Sequence, residues 1–203
     1  MRWQNSVAVV KLLFVLQTLI WLTYPNNVEA SKMRTNKILL IIAHQNFRDE
    51  EYFDTKKEIE AAGLTTQTAS TSMDTAKGTL GGTTRPDLLL KNANIEDYDG
   101  IAFIGGAGSA IYWNDDIALE LAKKTSSKGK VLAAICIAPV TLAKAGLLKG
   151  KKFNAWESEI ENIKSMGGIH SAHPVVVDGK IVTGNGPKAA PYFGKKIAEL
   201  AKQ

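Results

Sequence analysis

From Lys37 onward, short apolar runs alternate with segments that have the period of an amphipathic helix. The first run, residues 37–43, is continuous and rich in isoleucine and leucine, which is typical of a strand covered on both faces of a parallel sheet. The same reasoning predicts further strands at residues 64–71, 98–104, 130–135 and, as a pair, 175–182. Helices are predicted at residues 50–62, 115–128, 139–145 and 189–202. This alternation predicts a doubly wound α/β sandwich with a mainly parallel sheet, whose ligands gather at the carboxyl ends of the strands.

Glycines mark the predicted turns. Gly63 follows the first predicted helix as its C-terminal cap. Residues 77–83 contain three glycines, enough for a small hairpin or an irregular excursion. Asp178-Gly179 is a strong signal for the hairpin turn within residues 175–182.

The N-terminal segment is distinct from the rest of the chain. Arg2 and Lys11 precede an apolar run, residues 12–24, that is too short for a stable membrane span. Val28 and Ala30 fit the small-residue pattern of a signal peptidase site, with cleavage after Ala30 and export to the periplasm or beyond the cell. Alternatively, translation starts at Met33, residues 1–30 are a non-native extension and the protein is cytoplasmic. Residues 31–36 are then a linker, and residues 37–203 form one domain.

The charge pattern and the cysteine count exclude several functions. The 203 residues carry a formal net charge of +5, with basic and acidic side chains interleaved, so we expect a solvated surface and no nucleic-acid partner. The chain has one cysteine, Cys136, which excludes an internal disulfide and a multi-cysteine metal site. A lone thiol is either inert and buried or reactive and functional.

Cys136 lies at the end of the fourth predicted strand. Ala134 and Ala138 are two residues away on either side, the spacing of the nucleophile elbow in which small neighbours let the backbone turn sharply. The following helix is expected to lower the pKa of the thiol into the range of about 3.5–7.5. The alternative is that Cys136 is a small apolar residue of the core.

Two backbone N–H groups are predicted to form an oxyanion site beside Cys136. They belong to Ile137 and to Gly106, the latter in the glycine-rich end of the neighbouring strand. A plain strand-to-helix turn would also explain Gly105-Gly106. Asp49 and Glu50, in the first turn of the first helix, are explained by the helix dipole alone.

Four blocks of sequence, in order, resemble the DJ-1/PfpI superfamily. They are Phe47-Arg48-Asp49-Glu50-Glu51, Phe103-Ile104-Gly105-Gly106, Ala134-Ile135-Cys136-Ile137-Ala138-Pro139, and Val175-Val176-Val177-Asp178-Gly179 leading into Gly186-Pro187. The resemblance implies a flavodoxin-like three-layer sandwich with a nucleophile elbow and a homodimer or higher homo-oligomer. It also implies a cysteine thiolate that accepts a hydrogen bond from a protonated glutamate. Cys136 matches that cysteine and Glu51 matches that glutamate, so both are predicted to be catalytic.

The chain departs from the family pattern at the histidines. Protease-like members have a histidine directly after the cysteine, where this chain has Ile137. Other members use a histidine from a later strand, where this chain has Trp156. The remaining histidines are His44, His170 and His173. His170 or His173 could reach the site, although surface or structural roles are expected for these two. A cysteine peptidase is therefore disfavoured, because neither Ile137 nor Trp156 can carry a proton.

The resemblance favours chemistry on small reactive carbonyls or glycated substrates, of the glyoxalase or deglycase type. The Cys136 thiolate would add to the carbonyl and Glu51 would move the proton, without a metal or an organic cofactor. The alternative is a redox-sensing or chaperone stress protein in which Cys136 is oxidised to a sulfinate.

Overall fold

The computed structural model describes residues 35–203, which form twelve strands and five α-helices. The strands are β1 (Lys37–Ile41), β2 (Gln45–Phe47), β3 (Thr65–Ser70), β4 (Ala76–Gly78), β5 (Thr83–Thr84), β6 (Leu88–Leu89), β7 (Gly100–Phe103), β8 (Val131–Ile135), β9 (Lys152–Phe153), β10 (Ile169–His170), β11 (Val175–Asp178) and β12 (Ile181–Gly184). The helices are α1 (Asp49–Ala61), α2 (Asp116–Ser127), α3 (Pro139–Lys144), α4 (Ile160–Ser165) and α5 (Ala190–Ala201).

Seven strands form the central sheet, in the order β11-β12-β8-β7-β1-β3-β6. All neighbours run parallel except β11 and β12, which form an antiparallel hairpin at one edge. Alternate side chains of β1 enter two separate cores: Ile38 and Leu40 pack with α1 and α5, whereas Leu39 and Ile41 pack with α2 and α3. The sheet is thus covered by helices on both faces, and the predicted three-layer α/β sandwich is confirmed.

The boundaries of the four predicted helices agree with the structure to within one residue. The predicted hairpin turn is displaced by one position: Asp178 still pairs with Ile181, and Gly179 and Lys180 form the loop. Gly179 has φ +62°, the positive value that glycine tolerates at the first central position of a two-residue hairpin loop.

The glycine-rich excursion forms a hairpin of β4 and β5, and β4 also pairs with the short strand β2. Asp49 holds this hairpin against the start of α1, because its buried carboxylate accepts the N–H groups of Leu80 (2.7 Å) and Gly82 (2.6 Å). Asp49 therefore does more than compensate the helix dipole.

The predicted signal peptide, residues 1–30, lies outside the described residues. Within residues 35–203, no helix is long and apolar enough to cross a membrane.

Candidate active site

Cys136 is the turn residue between β8 and α3. Its φ is +65°, in the left-handed region that non-glycine residues rarely adopt, and such strain costs on the order of 1–3 kcal/mol. Two neighbouring segments hold the backbone there: Cys136 N–H donates to Gly184 O (2.9 Å), and Trp156 N–H donates to Cys136 O (2.8 Å). The side chain is buried, with 8% of its surface exposed. This is the predicted elbow geometry.

Glu51 reaches the elbow from the first turn of α1. It is fully buried, and its Oε2 accepts a hydrogen bond from Gly105 N–H at 3.0 Å. Its Oε1 has no hydrogen-bond partner among residues 35–203, and the Cys136 side chain lies against the same Gly105 backbone, close enough for each group to shift the pKa of the other. The structure thus brings together the two side chains predicted to be catalytic.

Gly105 makes this contact possible, because a side chain would not fit at its position. A Cβ atom there would collide with the Cβ of Cys136 and would lie 2.6 Å from Glu51 Oε2. Gly106, the second glycine of the pair, is the one with a positive φ, at +91°, a conformation that glycine adopts without strain. Each glycine therefore meets a different requirement.

The predicted oxyanion donors are both directed at the cysteine. The backbone N–H groups of Gly106 and Ile137 lie close enough to the Cys136 sulfur to lower its pKa and thereby favour its ionised form. A negative charge that develops on the sulfur, or on an oxygen bound next to it, would meet the same two donors. Their role as oxyanion donors stays a prediction.

The pKa values of the pair differ from the sequence expectation. Burial, opposed by the bonds from Cys136 and Gly105, raises the pKa of Glu51 from 4.5 to about 7. Burial, together with the charge of Glu51, raises the pKa of the Cys136 thiol to about 12. The prediction of a lowered thiol pKa is wrong for the free protein, because these two effects outweigh the N–H donors of Gly106 and Ile137.

The two groups titrate as one system with two macroscopic steps. Above pH 7 the pair keeps a single proton, which a hydrogen-bonded carboxyl and thiol can share. Reactive thiolate can therefore form at neutral pH when that proton lies on Glu51.

Comparison with known proteins shows the family of this chain. The model of the DJ-1/PfpI family matches residues 36–200. The chain belongs to the DJ-1/PfpI family. It is 36% identical over 181 residues to an uncharacterised protein of Methanocaldococcus jannaschii, covering 88% of each chain. It is 28% identical to the deglycase PfpI of Pyrococcus furiosus, covering 82% of this chain and 99% of that one. The crystal structure of a ThiJ/PfpI domain protein from Brachyspira murdochii superimposes with a TM-score of 0.82 at 34% identity, covering 84% and 98%.

Within this DJ-1/PfpI site, no histidine is among the groups that act most strongly on the Cys136 thiol. The His170 ring packs edge-to-face on Phe153 at 5.9 Å, and the His173 carbonyl accepts a hydrogen bond from Asn154. The His44 carbonyl accepts the Lys77 N–H. The roles of the three histidine side chains stay predictions.

Trp156 occupies the wall of the site instead of a histidine. Trp156 is 46% exposed, and a Cβ at Gly186 would lie 2.8 Å from the Cε3 atom of its indole. The same Cβ position is 4.0 Å from Glu51 Oε1, so Gly186 separates the indole from the carboxyl group. A cleft of about 410 Å³ opens on this side, lined by Arg48, Glu50, Trp156, Asn185, Gly186, Pro187 and Lys188.

Sequence reasoning missed Asn185 and Lys188 as lining residues. The available signal was their position beside Gly186-Pro187, a block that already carried the family resemblance.

Proposed function

We propose that this DJ-1/PfpI protein converts small α-oxoaldehydes, such as methylglyoxal, into hydroxy acids with Cys136 as the nucleophile and Glu51 as the proton carrier. The observation that carries the proposal is the buried Glu51 carboxyl beside the Cys136 thiol, with the backbone N–H groups of Gly106 and Ile137 close to the same sulfur. The deglycase names of archaeal relatives at 27–29% identity support carbonyl chemistry.

The residues present can carry each proton transfer. The thiolate adds to the aldehyde carbon, and the protonated Glu51 supplies the proton for the new hydroxyl of the hemithioacetal. Glu51, now ionised, can take the hydrogen from that carbon as a proton and return it to the adjacent ketone carbon, while the hydroxyl proton passes to the ketone oxygen, which leaves a thioester on Cys136. Water then hydrolyses the thioester, so methylglyoxal and one water yield lactate and the free enzyme.

A second candidate is redox sensing, in which Cys136 is oxidised to a sulfinate. The donors that would stabilise a thiolate also suit sulfinate oxygens: two backbone N–H groups and a protonated Glu51. The thiol is 8% exposed, which leaves a narrow approach for a peroxide. A chaperone role would belong to this alternative.

The first prediction uses the full chain with methylglyoxal and follows lactate. We expect Cys136→Ala to remove at least about 10³-fold of kcat/KM, and Glu51→Gln to remove about 10²–10⁴-fold, because each deletes one chemical role. Glu161→Gln is the matched control, since Glu161 is an exposed carboxylate paired with Lys164 on the surface of α4. Absence of lactate from the wild type, together with ready sulfinate formation at Cys136, would favour the redox candidate.

A further inference from the structure

Building on the proposed function, we propose that the cleft beside Cys136 recognises a carboxylate, and that the preferred substrates are short α-oxoaldehydes with a terminal carboxylate held by Lys188. The residues that line the cleft indicate a class of substrate, whereas the catalytic pair alone does not.

The cleft adjoins the catalytic pair through two of its lining residues. Gly186 and Trp156 line the cleft, and the space above Gly186 also meets Glu51 Oε1. The backbone N–H of Trp156 donates to the Cys136 carbonyl, which holds the backbone of Trp156 beside the nucleophile. A substrate whose aldehyde lies at Cys136 can therefore extend its other end along Trp156 into the cleft.

The charges of the cleft suit one monoanion. Arg48 is neutralised by Glu50 through two bonds, Nε to Oε2 at 2.8 Å and Nη2 to Oε1 at 2.9 Å. Lys188 is exposed and has no ion pair or side-chain hydrogen bond with any other residue in the range 35–203. The lining thus carries one uncompensated positive charge, which matches a carboxylate better than a phosphate dianion.

The remaining lining residues complement such a substrate. The exposed indole of Trp156 and the ring of Pro187 offer an apolar surface for a short methylene chain. Asn185, whose side chain has no hydrogen bond with another residue in the described part of the chain, supplies an amide donor. The volume, about 410 Å³, lies within the usual range of about 300–1,000 Å³ for small-ligand sites.

Lys188 also offsets a repulsion that the catalytic pair creates. Above pH 7 the Glu51 and Cys136 pair carries one negative charge, which disfavours an anionic substrate nearby. A neutral oxoaldehyde is not repelled by this charge, so the positive charge of Lys188 affects the binding of the carboxylated substrate in particular.

The reaction balances without a further reactant. In 4,5-dioxopentanoate the aldehyde carbon is oxidised to a carboxyl group while the adjacent ketone carbon is reduced to an alcohol. One water is consumed, the Cys136 thiol is regenerated, and the product is 2-hydroxyglutarate.

The test compares kcat/KM for 4,5-dioxopentanoate with that for the uncharged 2-oxohexanal. We expect the wild type to prefer the carboxylated substrate, and Lys188→Gln to lower the ratio of the two values about fivefold while Lys188→Arg retains it. Lys123→Gln on α2 is the matched control, since it removes one exposed lysine that lies outside the cleft and should leave the ratio unchanged. A ratio that Lys188→Gln does not alter would overturn the proposal and leave the glyoxalase function standing.

A second measurement does not depend on turnover. Cys136 is the chain's single thiol, so its alkylation by iodoacetamide reports on the site directly. We expect 4-oxopentanoate to slow alkylation in the wild type and in Lys123→Gln more than its neutral amide does, with the difference lost in Lys188→Gln. Protection without any turnover would support the cleft but contradict the proposed function, and equal protection by acid and amide would contradict the cleft.

Discussion

Cys136 and Glu51 define the chemistry at the scale of single residues. Neither group has its ordinary pKa, and burial is the first cause for both. The Cys136 thiolate forms when the single proton of the pair lies on the Glu51 carboxyl and the sulfur carries the negative charge. Reactivity of Cys136 should therefore titrate with the pair rather than with an isolated cysteine.

Alkylation of Cys136 by iodoacetamide as a function of pH tests this coupling. In the wild type we expect the rate to rise with an apparent pKa of about 7, where the pair loses its first proton, and then to level off. Glu51→Gln removes the shared proton, so its rate should rise in one step at higher pH, below 12 because the like charge has gone. A wild-type rate that shows no inflection near pH 7 would place the remaining proton on sulfur and contradict the shared-proton account.

At the scale of elements, the site depends on how closely three strand ends and one helix start approach one another. The ends of β7, β8 and β12 and the start of α1 meet at Cys136, with the backbone of Gly105 against both catalytic side chains. Packing of this kind leaves no room for one additional methyl group.

Gly105→Ala should therefore abolish activity by displacing Glu51 from Cys136. We expect methylglyoxal turnover to fall at least about 10²-fold, since small misplacements of reacting groups have effects of that order. Stability should fall by about 1–3 kcal/mol from overpacking. Gly63→Ala is the control: its φ of +82° makes alanine costly by about 1–2 kcal/mol, but no atom lies within 4 Å of its Cβ position. Equal stability loss with activity retained in both variants would contradict the role of Gly105.

At the scale of the whole molecule, the sheet and its helices could be predicted because their residues repeat with a clear period. The continuous apolar run of β1 predicts a strand, and the glycine after α1 predicts the end of a helix. Strands β6, β9 and β10 have two residues each and β2 has three, too few to show a period, and they were not foreseen. The homodimer stays a prediction.

The site divides in the same way. Cys136 was found from its local elbow pattern, and Glu51 from the family resemblance, whereas the raised pKa of the thiol follows from burial by distant segments. No local pattern marks Lys188, because its place in the cleft depends on packing near Trp156, which is over thirty positions away in the sequence.

Burial of Glu51 also affects the stability of the whole fold. Its pKa rises from 4.5 to about 7 on folding, so the unfolded chain releases the proton at lower pH than the native protein does. The free energy of unfolding should therefore fall as pH rises from about 4.5 to 7 and change no further above 7, with a total loss of about 3 kcal/mol from this group.

Glu51→Gln removes this titration but keeps an oxygen acceptor for the Gly105 N–H. Denaturant unfolding at several pH values between 4.5 and 8 should show the variant gaining about 3 kcal/mol relative to the wild type across that range, because the other groups titrate alike in both proteins. Cys136 contributes little here, since its thiol stays largely protonated in the unfolded chain below pH 8. Glu161→Gln should run parallel to the wild type, and a parallel Glu51→Gln curve would show that the buried carboxyl titrates normally.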